Sequence, residues 1–224
     1  MDTAHVRVSR GYRSKRRAGQ ARFTRGRVIE SAAAMFLARG YAGTTIRSVA
    51  AGAGVSVPTV ELLFGTKASL LKAAIDVAIA GDDQAVPVLQ RDWTVEALRC
   101  RNGEEFLAVA ARVIAAAQAR SAGLVLAVFE GAIGDPELAE LSDQMSSQRA
   151  GTAAWLVDAL SGRAALRPQD TLREAVDTLW VLMDPALFVR LVHQLHWTTD
   201  QYCSWFARSA RRMLIVDDPG QETP

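Results

Sequence analysis

Residues 44–67, TTIRSVAAGAGVSVPTVELLFGTK, constrain the fold of this chain more than any other segment. Apolar residues recur at intervals of three and four on both sides of a short break at residues 54–56. This spacing predicts two short amphipathic helices that pack against each other at an angle. Such a pair is a helix-turn-helix, the unit that places its second helix in the major groove of DNA. A plain helical hairpin has the same spacing and is the alternative.

The residues of the break suit a tight turn between two helices. Gly54 can adopt the positive φ that such a turn requires. Ser56 is a good N-cap for the second helix, and Pro58 falls in its first turn, where a backbone N–H has no helical partner to lose. The turn chemistry therefore favours the helix-turn-helix over the plain hairpin.

Charge is distributed unevenly along the chain. Residues 1–72 hold 13 basic and 3 acidic residues, a net charge of +10, whereas residues 73–224 hold 13 basic and 21 acidic residues, a net charge of −8. A basic segment joined to an acidic remainder favours a polyanion-binding unit on a regulatory body. We expect residues 1–23 to be a disordered basic arm that reaches a DNA groove beside the helix-turn-helix. A solvated tail without that role is the alternative.

Helical periodicity continues through most of the chain, and no segment shows sustained strand alternation. The pattern therefore predicts an all-α fold with a small N-terminal module and a larger helical body. Residues 81–103 are mixed and polar and are interpreted as a connection. The predicted helices outside the helix-turn-helix are 24–39, 67–80, 104–119, 122–131, 136–160, 168–182, 186–195 and 199–214.

Several classes of protein lack support in the sequence. No apolar run approaches the roughly 18 residues of a membrane span, and no apolar stretch follows the basic N-terminus as in a secretory signal. Cys100 and Cys203 are far apart and have no metal-ligand spacing, which suits a reducing cytoplasm. Catalytic and nucleotide-binding motifs are absent from the sequence. We expect a cytoplasmic, non-enzymatic protein without metal or cofactor; an all-α enzyme with a spatially assembled site is the alternative class.

The segment AAAMFLARGYAGTTIRSVAAGAGVS, followed by Phe64, Lys67 and Leu70-Leu71, resembles the tetracycline-repressor (TetR) family of bacterial transcription regulators. The match covers about residues 24–75. The resemblance implies a ligand-responsive, sequence-specific DNA-binding regulator, a repressor released from its operator by a small molecule. It also implies a homodimer, paired through its last helices, on a palindromic operator in double-stranded DNA. The alternative is a DNA-binding or protein-interaction helical protein without small-molecule induction.

The resemblance and the charge pattern together predict the domain organisation. The N-terminal part is a three-helix helix-turn-helix DNA-binding domain, and the C-terminal part is a helical domain for ligand binding and dimerisation. The expected limits are 1–23 for the disordered basic arm, 24–70 for the DNA-binding domain, 71–216 for the effector-binding and dimerisation domain, and 217–224 for a disordered tail.

Nine residues are candidates for the DNA contact. At the start of the first helix, Thr44 or Thr45 would cap the helix and let its amides meet a phosphate. Thr59 and Leu62 would touch a thymine methyl group, and Lys67 would contact a phosphate. The full set is Thr44, Thr45, Arg47, Ser56, Pro58, Thr59, Glu61, Leu62 and Lys67.

Glu61 departs from the family pattern, which has a phosphate-contacting tyrosine at this point. A carboxylate there would repel a phosphate, or accept a hydrogen bond from cytosine N4. A third alternative is an internal ion pair with Lys67 or Arg47. These three interpretations remain open from the sequence.

Two further groups of residues are predicted in the helical body. The candidates for a small-molecule cavity are Phe106, Phe129, Trp155 and Trp180. The candidates for a self-complementary dimer interface are Leu172, Val176, Leu179, Tyr202, Trp205 and Phe206. For both groups, burial within a single subunit is the alternative.

Overall fold

The computed structural model describes residues 10–82, 84, 86–167 and 172–216, with side chains from residue 19 onward. The chain divides into two compact units, residues 1–74 and 75–224. Within the described ranges the regular structure is helical, and the β-type pairing is a single isolated bridge between Leu166 and Ile215. The all-α prediction is confirmed.

The first unit consists of α1 (Arg10–Arg39), α2 (Ile46–Ala53), α3 (Val57–Phe64) and the start of α4 (Lys67–Ala80), which continues into the second unit. Apolar residues at helical spacing form its core because each helix buries one face. The fully buried side chains at the centre of that core are Val28, Val49, Val60, Leu70 and Leu71.

Helix α1 begins at Arg10 rather than at residue 24, so the expected disorder of residues 1–23 is wrong for residues 10–23. This segment contains no proline, and Arg, Lys, Ala and Gln are good helix formers. Thr24, at the predicted start of the first helix, lies in the interior of α1. Residues 1–9 lie outside the described residues.

The turn between α2 and α3 has the predicted chemistry. Gly54 has a left-handed backbone conformation, with φ +62°, and is the C-cap of α2. Ser56 caps α3 by accepting a hydrogen bond from the Thr59 backbone N–H, and Pro58 lies in the first turn. The chain changes direction by 107° between α2 and α3. The two helices thus form a helix-turn-helix rather than a hairpin whose two helices lie side by side in opposite directions.

The second unit contains the end of α4 and six further α-helices. These are α5 (Asp92–Arg99), α6 (Gly103–Gly131), α7 (Pro136–Ser161), α8 (Leu172–Leu182), α9 (Pro185–Phe188) and α10 (Thr199–Leu214). A 3₁₀ turn at Val88–Gln90 precedes α5, and a π-helical turn at Val189–Gln194 follows α9. Residues 168–171 and the predicted tail at 217–224 lie outside the described residues.

Three of the predicted boundaries in this unit are wrong. The connection at 81–103 contains α5, whose buried residues Thr94 and Ala97 give it an amphipathic face. The predicted helices 104–119 and 122–131 are one helix, α6, which continues through residues 120 and 121. Within it, the Ser121 hydroxyl donates to the Ala117 carbonyl. The predicted helix 186–195 divides into α9 and the π-helical turn, which ends near His196 at φ +58°.

Helix α6 is the centre of the second unit and packs against α5, α7, α9 and α10. It is also long and apolar enough to cross a membrane by composition alone, with a mean hydropathy of 1.4 over an 18-residue window. Its buried residues, Phe106, Leu107, Leu124 and Val128 among them, account for that apolar character because they form the core of the unit.

Gly103, the first residue of α6, lies where a side chain has no room. A Cβ there would lie 2.8 Å from the Ala164 Cβ and 2.9 Å from the Ile215 Cδ1. We expect Gly103→Ala to lower the free energy of unfolding by about 1–3 kcal/mol, measured by urea denaturation.

Gly151 in α7 provides the matched control, because a Cβ there meets nothing within 4 Å. Gly151→Ala should stabilise the protein by about 0.5–1 kcal/mol through helix propensity. Equal effects of the two substitutions would contradict the packing at Gly103.

Candidate DNA interface and ligand cavity

Helix α3 presents a solvent-exposed face that packs on nothing within the first unit. Pro58, Glu61 and Leu62 are exposed and lie at positions i, i+3 and i+4, so they share one side of the helix. Leu62 is 87% exposed, whereas Val60 on the opposite side is fully buried. A large apolar side chain so exposed on an eight-residue helix is available to a partner.

Ser56 and Thr59 are joined at the start of α3. Their hydroxyl oxygens are 2.8 Å apart, and the Ser56 Oγ also accepts from the Thr59 backbone N–H at 3.3 Å. Ser56 is exposed and Thr59 is half-buried. Both side chains therefore stabilise the first turn of α3 and remain close to its exposed face.

The two threonines before α2 have different roles. Thr45 is exposed and caps α2, with its Oγ1 accepting from the Ser48 N–H at 3.0 Å. Thr44 is fully buried, and its hydroxyl donates to the Gly40 carbonyl at 2.8 Å. Of the two threonines predicted as the cap of α2, Thr45 has that role, whereas the Thr44 side chain closes the α1–α2 turn.

Lys67 is also engaged within the first unit. Its Nζ donates to the Tyr41 carbonyl at 3.0 Å and lies 3.9 Å from the centre of the Tyr41 ring. The ammonium thus ties the start of α4 to the α1–α2 turn with one of its three donors, and the phosphate contact of Lys67 stays a prediction. Over the described residues, Glu61 forms no ion pair with Lys67 or with the exposed Arg47. The internal-pair interpretation of Glu61 therefore has no support.

Two arginines of α1 reach the helix-turn-helix, a feature that the sequence analysis missed. The Arg25 guanidinium lies 5.2 Å from the centre of the Phe64 ring at the end of α3. The Arg27 Nη2 lies 2.7 Å from the position that a Cβ on Gly54 would take, so this guanidinium is close to the turn between α2 and α3. The sequence signal for this role was that both arginines lie among the closely spaced basic residues of the N-terminal segment. These side chains fix positive charge beside α2 and α3.

The second unit contains a partly open cavity of about 170 Å³, lined by the end of α4 and by α5, α6 and α7. Most of its wall is apolar and includes Trp93, Phe129, Ile114 and Val125. One face of α7 contributes the side chains at positions 145, 148, 149, 152 and 156.

Arg149 is the charged side chain of the cavity wall. Its Nη1 lies 3.1 Å from the Asp184 Oδ2, and its guanidinium stacks 4.1 Å from the centre of the Trp180 ring. Its Nε is enclosed and has no acceptor in the described part of the chain. Burial lowers the pKa of the guanidinium, while the Asp184 carboxylate opposes that shift. Arginine nonetheless remains charged at neutral pH.

Three other polar side chains of the wall donate to backbone carbonyls. The Gln118 amide donates to the Met183 carbonyl at 2.7 Å, and Ser121 donates to Ala117. The Thr152 hydroxyl donates to the Gln148 carbonyl at 3.1 Å. Arg149 differs from Gln118, Ser121 and Thr152 in that an enclosed nitrogen atom, Nε, makes no hydrogen bond within the described residues.

Only part of the predicted ligand pocket lines this cavity. Phe129 does so, whereas Phe106, Trp155 and Trp180 do not. Phe106 is fully buried against Trp155, and Trp155 packs edge-on against Trp93 at 5.3 Å. Trp180 instead lies under the guanidinium of Arg149.

Two wall residues that matter most for the chemistry of the cavity, Trp93 and Arg149, were not among the predicted pocket residues. Trp93 lay in a segment interpreted as a connection. Arg149 had a detectable signal, because it is the charged position in an α7 stripe with Met145 and Leu156.

The predicted dimer residues separate into two groups by burial. Leu179, Tyr202 and Phe206 are fully buried in the core of the second unit, so they offer no surface to a partner. Tyr202, for example, packs edge-on against Phe188 at 4.9 Å. That part of the prediction is wrong, because an amphipathic pattern marks a buried face without identifying what covers it.

The remaining predicted dimer residues keep accessible surface. Leu172 is 65% exposed, and Val176 and Trp205 are half-buried. These three positions on α8 and α10 remain available to a partner.

The described residues thus form a helix-turn-helix unit and a separate helical unit that contains a cavity. Residues 28–74 match the model of the family described as "Bacterial regulatory proteins, tetR family". The match lies within the segment that resembles this family in the sequence, so it confirms the resemblance for these residues. Among curated proteins, none matches the chain by sequence.

Solved structures share the fold over most of the chain. NalD, the secondary repressor of the MexAB-OprM multidrug efflux pump in Pseudomonas aeruginosa, is 18% identical, with a TM-score of 0.65 over 88% of this chain and 98% of its own. FadR from Bacillus subtilis, solved in complex with stearoyl-CoA, is 13% identical, with a TM-score of 0.64 over 84% and 97%. A protein from Saccharomonospora viridis in complex with choline is 17% identical, with a TM-score of 0.63 over 86% and 98%.

The contacts of Lys67 predict a role in stability. Lys67→Met removes a charge-assisted hydrogen bond and a cation–π contact, and we expect it to lower the free energy of unfolding by about 1–2 kcal/mol. Arg47→Met, at an exposed position, should change it by less than about 0.5 kcal/mol. Urea denaturation of both variants tests this difference, and an equal cost at the two positions would contradict it.

Proposed function

We propose that this chain is a ligand-responsive, sequence-specific DNA-binding transcription regulator, which acts as a repressor released from its operator by a small molecule. The observation that carries the proposal is the exposed face of α3, in a helix-turn-helix that belongs to a segment with a net charge of +10. A basic surface supplies affinity for the phosphate backbone, and a helix in the major groove supplies sequence discrimination.

The second unit supports the small-molecule part of the proposal. A mostly apolar cavity with few polar groups is the usual form of a ligand site. Two proteins of the same fold were solved with bound molecules, stearoyl-CoA in one and choline in the other. We assign the protein a binding role without catalysis, in the cytoplasm, where its DNA lies.

The DNA contact is proposed to combine base and phosphate contacts. Pro58, Glu61 and Leu62 form the face of α3 that enters the groove, with Ser56 and Thr59 at its N-terminal end. Thr45 and Arg47 lie at the start of α2, where backbone amides and a guanidinium suit a phosphate. Because Glu61 shares a face with Leu62, we assign its carboxylate to a base edge, where it would accept from cytosine N4.

We also propose that the protein is a homodimer. One helix-turn-helix covers a single half-site, so a two-fold dimer is needed to bind a palindromic operator. Exposed apolar side chains on the second unit, with Leu172 on α8 and the half-buried Val176 and Trp205, are the proposed contact surface.

Leu62→Ala tests the assignment of α3. We expect it to weaken binding to an operator selected from random duplexes by about tenfold, because an exposed apolar contact to a thymine methyl is lost. Leu37→Ala, at a 56% exposed leucine on α1, is the matched control and should leave binding unchanged. Electrophoretic mobility shift or fluorescence anisotropy measures both affinities.

The same assay examines Glu61. Glu61→Gln should weaken operator binding and relax the preference for one base pair. Tighter binding to every duplex would instead indicate that the carboxylate repels a phosphate. Equal losses for Leu62→Ala and Leu37→Ala would remove α3 from the interface.

Leu172→Glu tests the dimer. A carboxylate in an apolar interface is strongly unfavourable, so we expect this variant to be monomeric by light scattering at micromolar concentration while its helical circular dichroism is retained. Leu98→Glu, at a 50% exposed leucine on α5, is the control and should remain dimeric. A wild-type chain that stays monomeric on operator DNA would contradict the proposal.

A further inference from the structure

We propose that the effector is a small, mainly apolar molecule with a carbonyl or carboxylate oxygen, and that this oxygen accepts a hydrogen bond from Arg149. The inference rests on the proposed function, since it takes the cavity of the second unit as the effector site. It adds the chemical class of the ligand and the side chain that selects it.

The volume of the cavity limits the size of the ligand. At about 170 Å³ it is close to the roughly 150 Å³ of an apolar cavity that binds benzene. A single substituted ring therefore fits within this volume, whereas most of a long acyl chain would lie outside it.

The wall determines the character of most of the ligand. Trp93 and Phe129 provide aromatic surface, and Ile114, Val125 and Met145 provide aliphatic surface and a thioether. Burying apolar ligand atoms against these side chains is favourable, because those atoms leave water. A ring or a short branched hydrocarbon body matches this wall.

Hydrogen bonding determines the polar end of the ligand. Gln118, Ser121 and Thr152 already donate to backbone carbonyls. The Arg149 guanidinium has five N–H donors, uses Nη1 toward Asp184, and leaves Nε without an acceptor in the described ranges. Buried donors are nearly always paired in native proteins. Because Arg149 lines the cavity, a ligand oxygen that accepts from an N–H on the cavity side of the guanidinium would add an acceptor to this incompletely paired group.

The charges at the site disfavour a cationic ligand. Arg149 brings a positive charge to the wall, and the Asp184 carboxylate is already occupied by the Arg149 Nη1 and by the Ala186 backbone N–H. An ammonium group would meet a like charge and no free carboxylate. The class of ligand therefore differs from the choline bound by the Saccharomonospora viridis protein.

Carbonyl and carboxylate ligands share the acceptor oxygen and differ in charge. The Arg149–Asp184 pair is neutral as a whole, so a carbonyl keeps the site neutral while a carboxylate adds a buried negative charge. A bidentate carboxylate gains a second hydrogen bond in return.

Four ring compounds of similar size separate these alternatives when titrated into the full chain by isothermal calorimetry. They are benzoate, acetophenone, ethylbenzene and benzylamine. We expect benzoate or acetophenone to bind at least about tenfold more tightly than ethylbenzene, because a hydrogen bond from a charged donor is gained. Benzylamine should bind most weakly. Which of the two oxygen compounds binds better distinguishes an acid from a carbonyl ligand.

Variants at Arg149 assign the preference to this side chain. Arg149→Met should abolish the advantage of the oxygen compounds and retain ethylbenzene binding. Arg149→Lys keeps the positive charge but lacks the planar guanidinium, so it should reduce the advantage of the oxygen compounds over ethylbenzene. This variant replaces Arg149→Met in the test if the methionine variant does not fold. Arg173→Met, at an 85% exposed arginine in an exposed pair with Asp177, is the control and should preserve the wild-type order.

The outcomes separate this inference from the proposed function. Preference for benzylamine, failure of all four compounds to bind, or an unchanged order in both Arg149 variants would overturn the inference. DNA binding is measured in parallel without any compound. If the protein binds no DNA, the proposed function is contradicted, while the ligand preference of the cavity is unaffected. If an oxygen compound binds through Arg149 but leaves operator affinity unchanged, the ligand class stands and small-molecule release is wrong.

Discussion

The left-handed turn at Gly54 is the constraint on which the candidate DNA interface depends. Its φ is +62°, a conformation that residues other than glycine rarely adopt, and the chain changes direction by 107° between α2 and α3. With this turn in place, Val60 is buried and Leu62 is exposed on α3. The contacts of Lys67 with Tyr41 and of Thr44 with Gly40 stabilise the turn between α1 and α2 in the same unit. Two side chains that resemble DNA ligands in the sequence thus also make contacts within the first unit.

A buried charge organises the second unit in a comparable way. Arg149 connects α7 to Asp184, which caps α9, and to the Trp180 ring on α8. Burial of a guanidinium is costly unless its donors are satisfied. The ion pair and the aromatic ring offset part of that cost, and an acceptor in the cavity would offset more. The Arg149 guanidinium, whose burial is costly in free energy, is therefore also the group that would give the cavity its chemical preference.

Sequence patterns predicted the elements better than the environment of individual side chains. Periodicity located α10 at residues 199–214, and the glycine, serine and proline of the turn have the conformations expected of them. Periodicity also marked Tyr202 and Phe206 as apolar, but it could not tell a core from an interface. Thr44 and Thr45 are adjacent and chemically identical, and only the fold makes one buried and the other a cap. Arg149 required knowledge of which α7 face is enclosed.

Binding of the full chain to duplex DNA as a function of salt tests the central claim most directly. A helix-turn-helix in a segment of net charge +10 should release several counterions, so log K should fall with log salt at a slope near −0.9 for each phosphate contacted. We expect a steep slope for all duplexes, together with a selected operator sequence that binds at least about a thousandfold more tightly than random DNA. Salt-independent binding, or equal affinity for every sequence, would contradict the account.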